Sequence, residues 1–488
     1  MKKFYLCKLC FIVFGALLAV QSVSAGNWNK KNEAVNELGV AFPVESKNSV
    51  VIETNPTTLL SFFPHVYAEI PETNHLVVSL YASEDISGDG DYEIFGMIAV
   101  IDEDDKHHTS IPARPFVLVW DETNKALQVS QEWAEALPKM IFARRFETFY
   151  GEGNKGNDLF IADYGVDGFS PNHPNCGGQN RWFLVRGEEI IDKTDELPQI
   201  NDLTHDLIVE DLNQDGRADV VVINDPIPGY SKVDDCDDRE IIEESYLLLS
   251  SANGFKKYKF RDIGISQKHL YLSGAVRTNQ DGSFDLVMSR DSEISAGGVD
   301  IYNFVVLDDG LQLFDETNLP LGGVNLGADI RKGDIDGNDV DEFIVSNTAS
   351  TDWRGHKLFL VSDRTDQWSL SKLFFEDKLH DNLGKNDQGW CGRMFLDDID
   401  GNSSIDYVCA NLTKIPHLRR SPIVARHDQN YFPVDITNAE VRQIVPFQTQ
   451  SEYMLVGTKY GKQNENNVMV EWRFRGVLID KVLEPPSN

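Results

Sequence analysis

The chain has 488 residues, with 78 acidic against 45 basic side chains and a formal net charge of −33. That balance disfavours a nucleic-acid partner, because a polyanion would be repelled. After the first 25 residues no stretch is long and apolar enough to cross a membrane as a helix, so the sequence predicts no transmembrane segment.

Residues 1–25 read as a secretory signal. Lys2 and Lys3 form a positive start, Leu9 to Val20 are almost wholly apolar, and Val23-Ser24-Ala25 supplies small residues for cleavage. Export to the periplasm, the cell surface or the medium is expected, and no cysteine follows the cleavage site to carry a lipid anchor. Cys7 and Cys10 belong to the signal, which leaves Cys176, Cys236, Cys391 and Cys409. An even count in an exported chain permits two disulfides, in any of three connectivities. Residues 26–73 form an N-terminal segment in which Ser49-Val50-Val51-Ile52 offers one outer strand.

A repeated acidic loop then organises residues 74–488. Its first copy is Asp85-Ile-Ser-Gly-Asp-Gly-Asp-Tyr-Glu93, with Asp85, Ser87, Asp89 and Glu93 at positions 1, 3, 5 and 9 and the Asp91 carbonyl at position 7. The second, Tyr150 to Asp158, is damaged and keeps only Asn154 and Asp158. The third is the most complete: Asp211, Asn213, Asp215 and Asp219 bring side-chain oxygens, Arg217 a carbonyl, and Gly216 the sharp bend. Hard oxygens from a short loop are what Ca²⁺ prefers. An EF-hand needs a Glu at position 12 and flanking helices. Here position 12 is Val222, within Val220-Val221-Val222-Ile223, four β-branched residues that predict a buried strand.

The fourth copy keeps Asn279, Asp281 and Asp285 but starts on Arg277. Either its guanidinium sits where an ion would, or the side chain turns to solvent. The fifth supplies Asp334, Asp336, Asn338, the Val340 carbonyl and Glu342, with Asp339 at the position that asks for a left-handed backbone. The sixth supplies Asp398, Asp400, Asn402, the Ser404 carbonyl and Asp406.

The copies start at residues 85, 150, 211, 277, 334 and 398, and each precedes an apolar strand. Four strands in about sixty residues make one propeller blade, and the chain after the signal has room for about seven. The expected fold is an all-β, seven-bladed β-propeller of four-stranded blades. Val441–Val445, Tyr453–Val456, Val468–Trp472 and Val477–Ile479 are predicted as the last blade, and Val50–Ile52 as its added outer strand. No sustained helical periodicity is present.

The loops and their following strands resemble FG-GAP/VCBS repeats, the calcium-loop blades also seen in integrin α-subunit propellers. Asp158-Leu-Phe-Ile-Ala-Asp-Tyr-Gly-Val-Asp167, Gln179-Asn180 and His205 ahead of Asp211 are similar to bacterial VCBS-type members. The resemblance, over roughly residues 75 to 410, implies a β-propeller with Ca²⁺ between the first two strands of a blade. The Gly-Ala-Pro tail of the integrin-type motif is absent, so integrin ligand recognition is not implied.

If those loops join strands one and two, the loops after strand two emerge on the opposite face. These are long there: Gly165 to Gln179, Pro226 to Glu243, Ser346 to His356 and Asn411 to Ser421, carrying Tyr164, Tyr230, Trp353, Arg354, His417, Arg419 and Arg420. Arg144, His205, Asp206, Asp329 and Arg393 open the innermost strands near the same mouth. Loops held on a rigid scaffold are where ligands bind. Cys176 and Cys236 share two of these loops and are the predicted disulfide.

No Gly-x-Ser-x-Gly or His-Glu-x-x-His is present, and Ser369 to Lys372 matches Ser-x-x-Lys only within a presumed outer strand. The expectation is a binding or adhesion module for a carbohydrate or protein ligand. A carbohydrate-active enzyme, such as a lyase with its site at the channel mouth, is the alternative. An ordered sugar, or a tight His, Arg and Tyr cluster in the channel, would discriminate between them.

Overall fold

The computed structural model describes most of residues 75–478, with Val51–Glu53 and Thr57–Thr58. Residues 1–50, 166–176, 225–239, 350–355, 373–390, 412–422 and 479–488 are among those outside the description.

The described chain is a succession of antiparallel sheets, each a meander of adjacent strands. The first holds His75–Glu84, Glu93–Ile101, Phe116–Asp121 and Ala126–Val129. The second holds Ala143–Tyr150, Asn157–Asp163, Arg181–Arg186 and Glu189–Asp192. Thr204–Glu210, Asp219–Asn224, Tyr246–Leu249 and Lys256–Lys259 make the third. Tyr271–Thr278, Ser283–Arg290, Gly298–Leu307 and Gly310–Pro320 make the fourth. The fifth runs Asn325–Gly333, Glu342–Ala349, His356–Ser362 and Ser369–Lys372, and the sixth Cys391–Asp397, Asp406–Asn411, Ile423–His427 and Asn430–Val434.

The last sheet departs from expectation. It holds Arg442–Gln448, Tyr453–Tyr460 and one continuous strand, Glu471–Leu478, where the sequence suggested two. Its outer strand comes from the other end of the chain: Val51, Ile52 and Glu53 pair with Val477, Gly476 and Arg475. Arg473 and Arg475 look like a break in composition, yet they alternate with Trp472 and Phe474, and the strand carries on through Gly476 to Leu478.

The first strand of each sheet packs beside that of the next, and Arg442–Gln448 returns to His75–Glu84. Tyr92 N–H donates to the Gln448 carbonyl at 2.8 Å across this closure. Sheets set around a common axis in this way define a β-propeller.

The apolar cores lie between neighbouring sheets. Val220 and Val222 pack towards Phe160 and Ala162 of the second sheet, whereas Val221 and Ile223 pack towards Phe284, Leu286 and Met288 of the fourth. A strand covered on both faces has no need of polar alternation, which explains its unbroken β-branched run. Gly274 sits where this packing is tightest: a Cβ there would come within 2.8 Å of Ile223 Cδ1. One short helix, α1 (Gln131–Ala136), links the first two sheets, with Ser130 as its N-cap and Trp133 buried. A helix of six residues with one buried side chain leaves no detectable periodicity in sequence.

Candidate functional site at the mouth of the axis

Every innermost strand carries a break in register against its neighbour. The breaks lie between Leu80 and Ala82, Ala143 and Arg145, Thr204 and Asp206, Tyr271 and Ser273, Gly327 and Asp329, Cys391 and Arg393, and Arg442 and Val445. A bulge inserts a residue and re-aims the side chains around it. Arg144, His205 and Leu272 are the inserted residues of three consecutive sheets.

These three meet. The Arg144 guanidinium bonds to His205 Nε2, and His205 Nδ1 bonds to the Leu272 carbonyl. A guanidinium only donates, so Nε2 must accept, and Nδ1 carries the proton it gives to Leu272. His205 is therefore held as the neutral Nδ1–H tautomer. Arg144 also stacks over the Tyr164 ring, 4.7 Å from its centroid, and that ring meets His205 edge-on at 5.9 Å. Tyr164 is buried, its N–H donating to the Phe142 carbonyl at 3.0 Å. Among the described residues no carboxylate pairs with Arg144.

Directly after the bulges lies a second layer, on the axis itself. Arg145 Nη1 is 3.3 Å from Asp329 of the fifth sheet, and its Nε lies 2.7 Å from Glu147 and 2.9 Å from Asp206 of the third. The Nε contacts are charge contacts rather than aligned hydrogen bonds. Ser273 of the fourth sheet donates to Asp206 at 2.6 Å, and Asp329 accepts the Met394 N–H of the sixth at 2.6 Å. Arg331 reaches back to Glu147 at 3.2 Å, and Lys332 pairs with Glu210. The second and fifth sheets are not neighbours in the ring, so a bond between them crosses the axis. These side chains make a charged floor beneath Arg144 and His205.

The floor is nearly dry. Arg145, Asp206 and Asp329 are buried. Burial works against the Arg145 charge, but Asp206, Asp329 and Glu147 more than offset it and raise its pKa. Burial also pushes the Asp206 carboxyl up, against the pull of Arg145, and the nearby Asp329 adds to the rise.

At the opposite ends of the inner strands lie the acidic loops, three of which share one internal geometry. The position-1 carboxylate accepts loop N–H groups: Asp85 from Gly88, Asp89 and Gly90, Asp211 from Asp215 and Gly216, and Asp334 from Gly337, Asn338 and Asp339. Position 9 closes the loop, Glu93 on Ile86 and Ser87, Asp219 on Leu212 and Asn213, and Glu342 on Ile335. Position 5 accepts from position 7, through Asp89, Asp215 and Asn338. Positions 4 and 6 are left-handed throughout: Gly88 and Gly90, Gln214 and Gly216, Gly337 and Asp339, the last at φ 63°. Burial pushes the Glu93 carboxyl up to about 7 and that of Asp219 up to about 6.

Whether these loops suit a cation turns on their donor set. It is all oxygen, as Ca²⁺ requires, and a cation would return Glu93 and Asp219 to their charged forms. Yet among the described residues no three His, Cys, Asp or Glu side chains are gathered as a ready metal cage. The donors fit in kind, while the position-1 and position-9 carboxylates are bonded to the loop's own amides.

The fourth loop is resolved between its two alternatives. Arg277 is buried, with Nη2 2.7 Å from Asp285 at position 9 and 2.8 Å from Asp363 of the fifth sheet. It also lies 4.9 Å from the Trp368 ring centroid. The guanidinium turns inward, onto the position-9 carboxylate that in the other loops accepts the loop's own N–H groups.

Other expected residues are placed less fully. Arg393 follows the bulge of Cys391–Asp397, opposite Ala410. Tyr230, Trp353, Asp336, Asp400, Asn402, Ser404, Cys176 and Cys236 lie outside the described residues. Asp398 adjoins Cys391–Asp397, and Asp406 begins its partner strand, fully buried. Cys391 is opposite Asn411 and Cys409 opposite Met394, so those two cysteines are not register partners. Ser369 lies in an outer strand, bonded to the Ser362 carbonyl at 3.2 Å, away from the axis. Sequence reasoning missed Arg145, Glu147 and Arg331. The available signal was a charged pair, Arg144-Arg145, opening a strand otherwise bound for the core.

The chain is thus an all-β propeller whose axis is floored by charge, and no helix among the described residues is long and apolar enough to cross a membrane. No protein-family model and no curated protein matches it in sequence. Several solved structures are similar to it. A protein of unknown function from Dyadobacter fermentans is 9% identical, with 89% of this chain and 99% of that one covered at a TM-score of 0.34. A putative exo-β-1,3-galactanase from Bifidobacterium bifidum is 13% identical, over 73% and 96%, at 0.33. A GH43 β-xylosidase/α-arabinofuranosidase from a compost metagenome is 9% identical, over 66% and 98%, at 0.34. Likenesses this distant say nothing of what this chain binds.

Proposed function

We propose that the chain is an exported, calcium-stabilised propeller of seven blades, of FG-GAP/VCBS type, that binds a carbohydrate at the mouth of its axis. The successive sheets and the closing contact of Tyr92 with Gln448 support the blade count. The shared geometry of the loops at Asp85, Asp211 and Asp334 supports the repeat type. There the side chains of Asp211, Asn213, Asp215 and Asp219 with the Arg217 carbonyl, and their counterparts, would hold Ca²⁺. The ion would neutralise the loop and stabilise the folded state to which it binds.

The observation that carries the binding proposal is the meeting of Arg144 and His205, on the bulges of adjacent sheets, with the ring of Tyr164. A forked donor stacked on an aromatic ring suits the polar groups of a sugar better than the broad apolar patch of a protein interface. The face opposite the calcium loops is the proposed binding face. A lyase is the second reading, favoured by an imidazole and a guanidinium held side by side at the mouth. A glycan and surface-protein array with product analysis tests both. A retained, unaltered glycan supports binding, and unsaturated chain ends support the lyase. Protein hits alone, or none, overturn the carbohydrate proposal.

A further inference from the structure

The two adjacent arginines of the second sheet are treated very differently by their surroundings. Arg145 is surrounded by Asp206, Asp329 and Glu147. Arg144, one residue closer to the mouth, has His205 Nε2 and the Tyr164 ring as its partners among the described residues. In a chain of net charge −33, a guanidinium at the mouth that meets no carboxylate among the described residues points to one from a ligand. The floor below it cannot supply one, because Asp206 and Asp329 are already committed to Arg145, Ser273 and Met394.

We propose that the carbohydrate bound here is acidic, and that Arg144 takes the carboxylate of a uronic acid residue. This rests on the carbohydrate proposal above and adds the charge. Arg144 carries five N–H donors in a planar fork, of which the bond to His205 uses one. Tyr164 supports one face of the guanidinium, which fixes the plane of the fork. A carboxylate is the planar, bidentate acceptor that such a fork matches. His205 fixes the fork from the other side. With Nδ1–H bonded to Leu272, Nε2 uses its single lone pair on Arg144 and leaves the other guanidinium donors to a ligand. It has no proton with which to assist a more highly charged phosphate. A uronic acid brings a carboxylate on a sugar ring, and a neutral hexose brings none.

The test is calorimetric titration of the full exported chain with oligosaccharides of galacturonate, glucuronate, mannuronate and guluronate, their methyl esters, and neutral hexose oligomers. The ester removes the charge and keeps the sugar, so the central comparison needs no variant. At least one acid should bind about ten- to a hundredfold more tightly than its ester, the value of a charge-assisted hydrogen bond. Arg144→Gln should remove that preference and Arg144→Lys should retain part of it, with melting curves matched to the parent. An ester or neutral oligomer bound as tightly as the acid overturns the acidic ligand and leaves the carbohydrate proposal standing. An unaltered preference in Arg144→Gln overturns the role of Arg144. If no saccharide binds, the carbohydrate proposal itself fails.

Discussion

Arg277 and Asp363 join the fourth and fifth sheets, with the guanidinium Nη2 2.8 Å from Asp363 Oδ2 and its Nη1 3.2 Å from Oδ1. The same Arg holds Asp285 within its own loop. Its hydrogen bonds keep the Asp363 carboxyl below the usual carboxylate range. Removing one member of a buried pair, here Arg277 with Asp285, strands the other at a cost of about 3–5 kcal/mol, while the half-exposed Asp363 is screened by water and loses less. Arg277→Met should therefore lower the melting temperature, and added Ca²⁺ should not restore it, because Met brings no ligand oxygen. A variant as stable as the parent would mean that Asp285 and Asp363 find other partners.

Chelation gives the complementary result. The loops at Asp85, Asp211, Asp334 and Asp398 should lose stability together when Ca²⁺ is removed and regain it on addition. A site that binds the ion only when folded would contribute about 2.7 kcal/mol with the ion at a hundred times its dissociation constant. Asp211→Ala should remove part of this response and leave the rest. Melting curves that coincide with and without chelator would eliminate calcium as the stabilising ion.

The floor of the axis has a pH signature. Burial raises the Asp206 pKa, so the folded protein holds a proton there that the unfolded chain gives up at lower pH. That contribution is full below the ordinary carboxylate range and is lost as pH rises through the raised value. Asp206→Asn should flatten this part of the stability profile. Denaturant midpoints across the acid to neutral range measure it, and an unchanged slope in the variant would assign the dependence elsewhere.

The predicted Cys176–Cys236 disulfide can be judged by the described residues beside it. Gly178 exchanges backbone bonds with Asp202, at 2.7 and 2.9 Å, just after Cys176. Glu240 and Ile241, shortly after Cys236, pair with Ile200 and Asn201. The described residues after each cysteine thus pair with neighbouring parts of one short stretch, Ile200 to Asp202. Non-reducing peptide mapping should recover the two cysteines linked, and reduction should cost roughly 2–4 kcal/mol of stability. Separate, alkylatable peptides would refute the pairing.

The strand-two runs and the loops ahead of them were legible because their chemistry is local: Asp211 to Asp219 needs only its own amides to take shape. The mouth was half legible. Position alone pointed to Arg144, His205, Asp206 and Asp329, but Arg145 and its crossing bonds were not visible. A bulge shifts the side-chain phase by one residue, so alternation no longer tells which member of Arg144-Arg145 reaches the axis. The run Ser49 to Ile52 pointed to an outer strand for the last sheet, and Val51–Glu53 does pair there with Glu471–Leu478, but nothing local announced that the latter is one continuous strand. Pairings of that length are set by the whole ring.

That pairing of Val51–Glu53 with Glu471–Leu478 governs the order of events during synthesis. The outer edge of the last sheet stays open until the final strands leave the ribosome, and an open edge invites other chains. Contacts this distant also form slowly. A strand from one end of the chain, held by one from the other, means that the ring is latched last. The early blades must remain tractable, and free of strangers, while they wait for it.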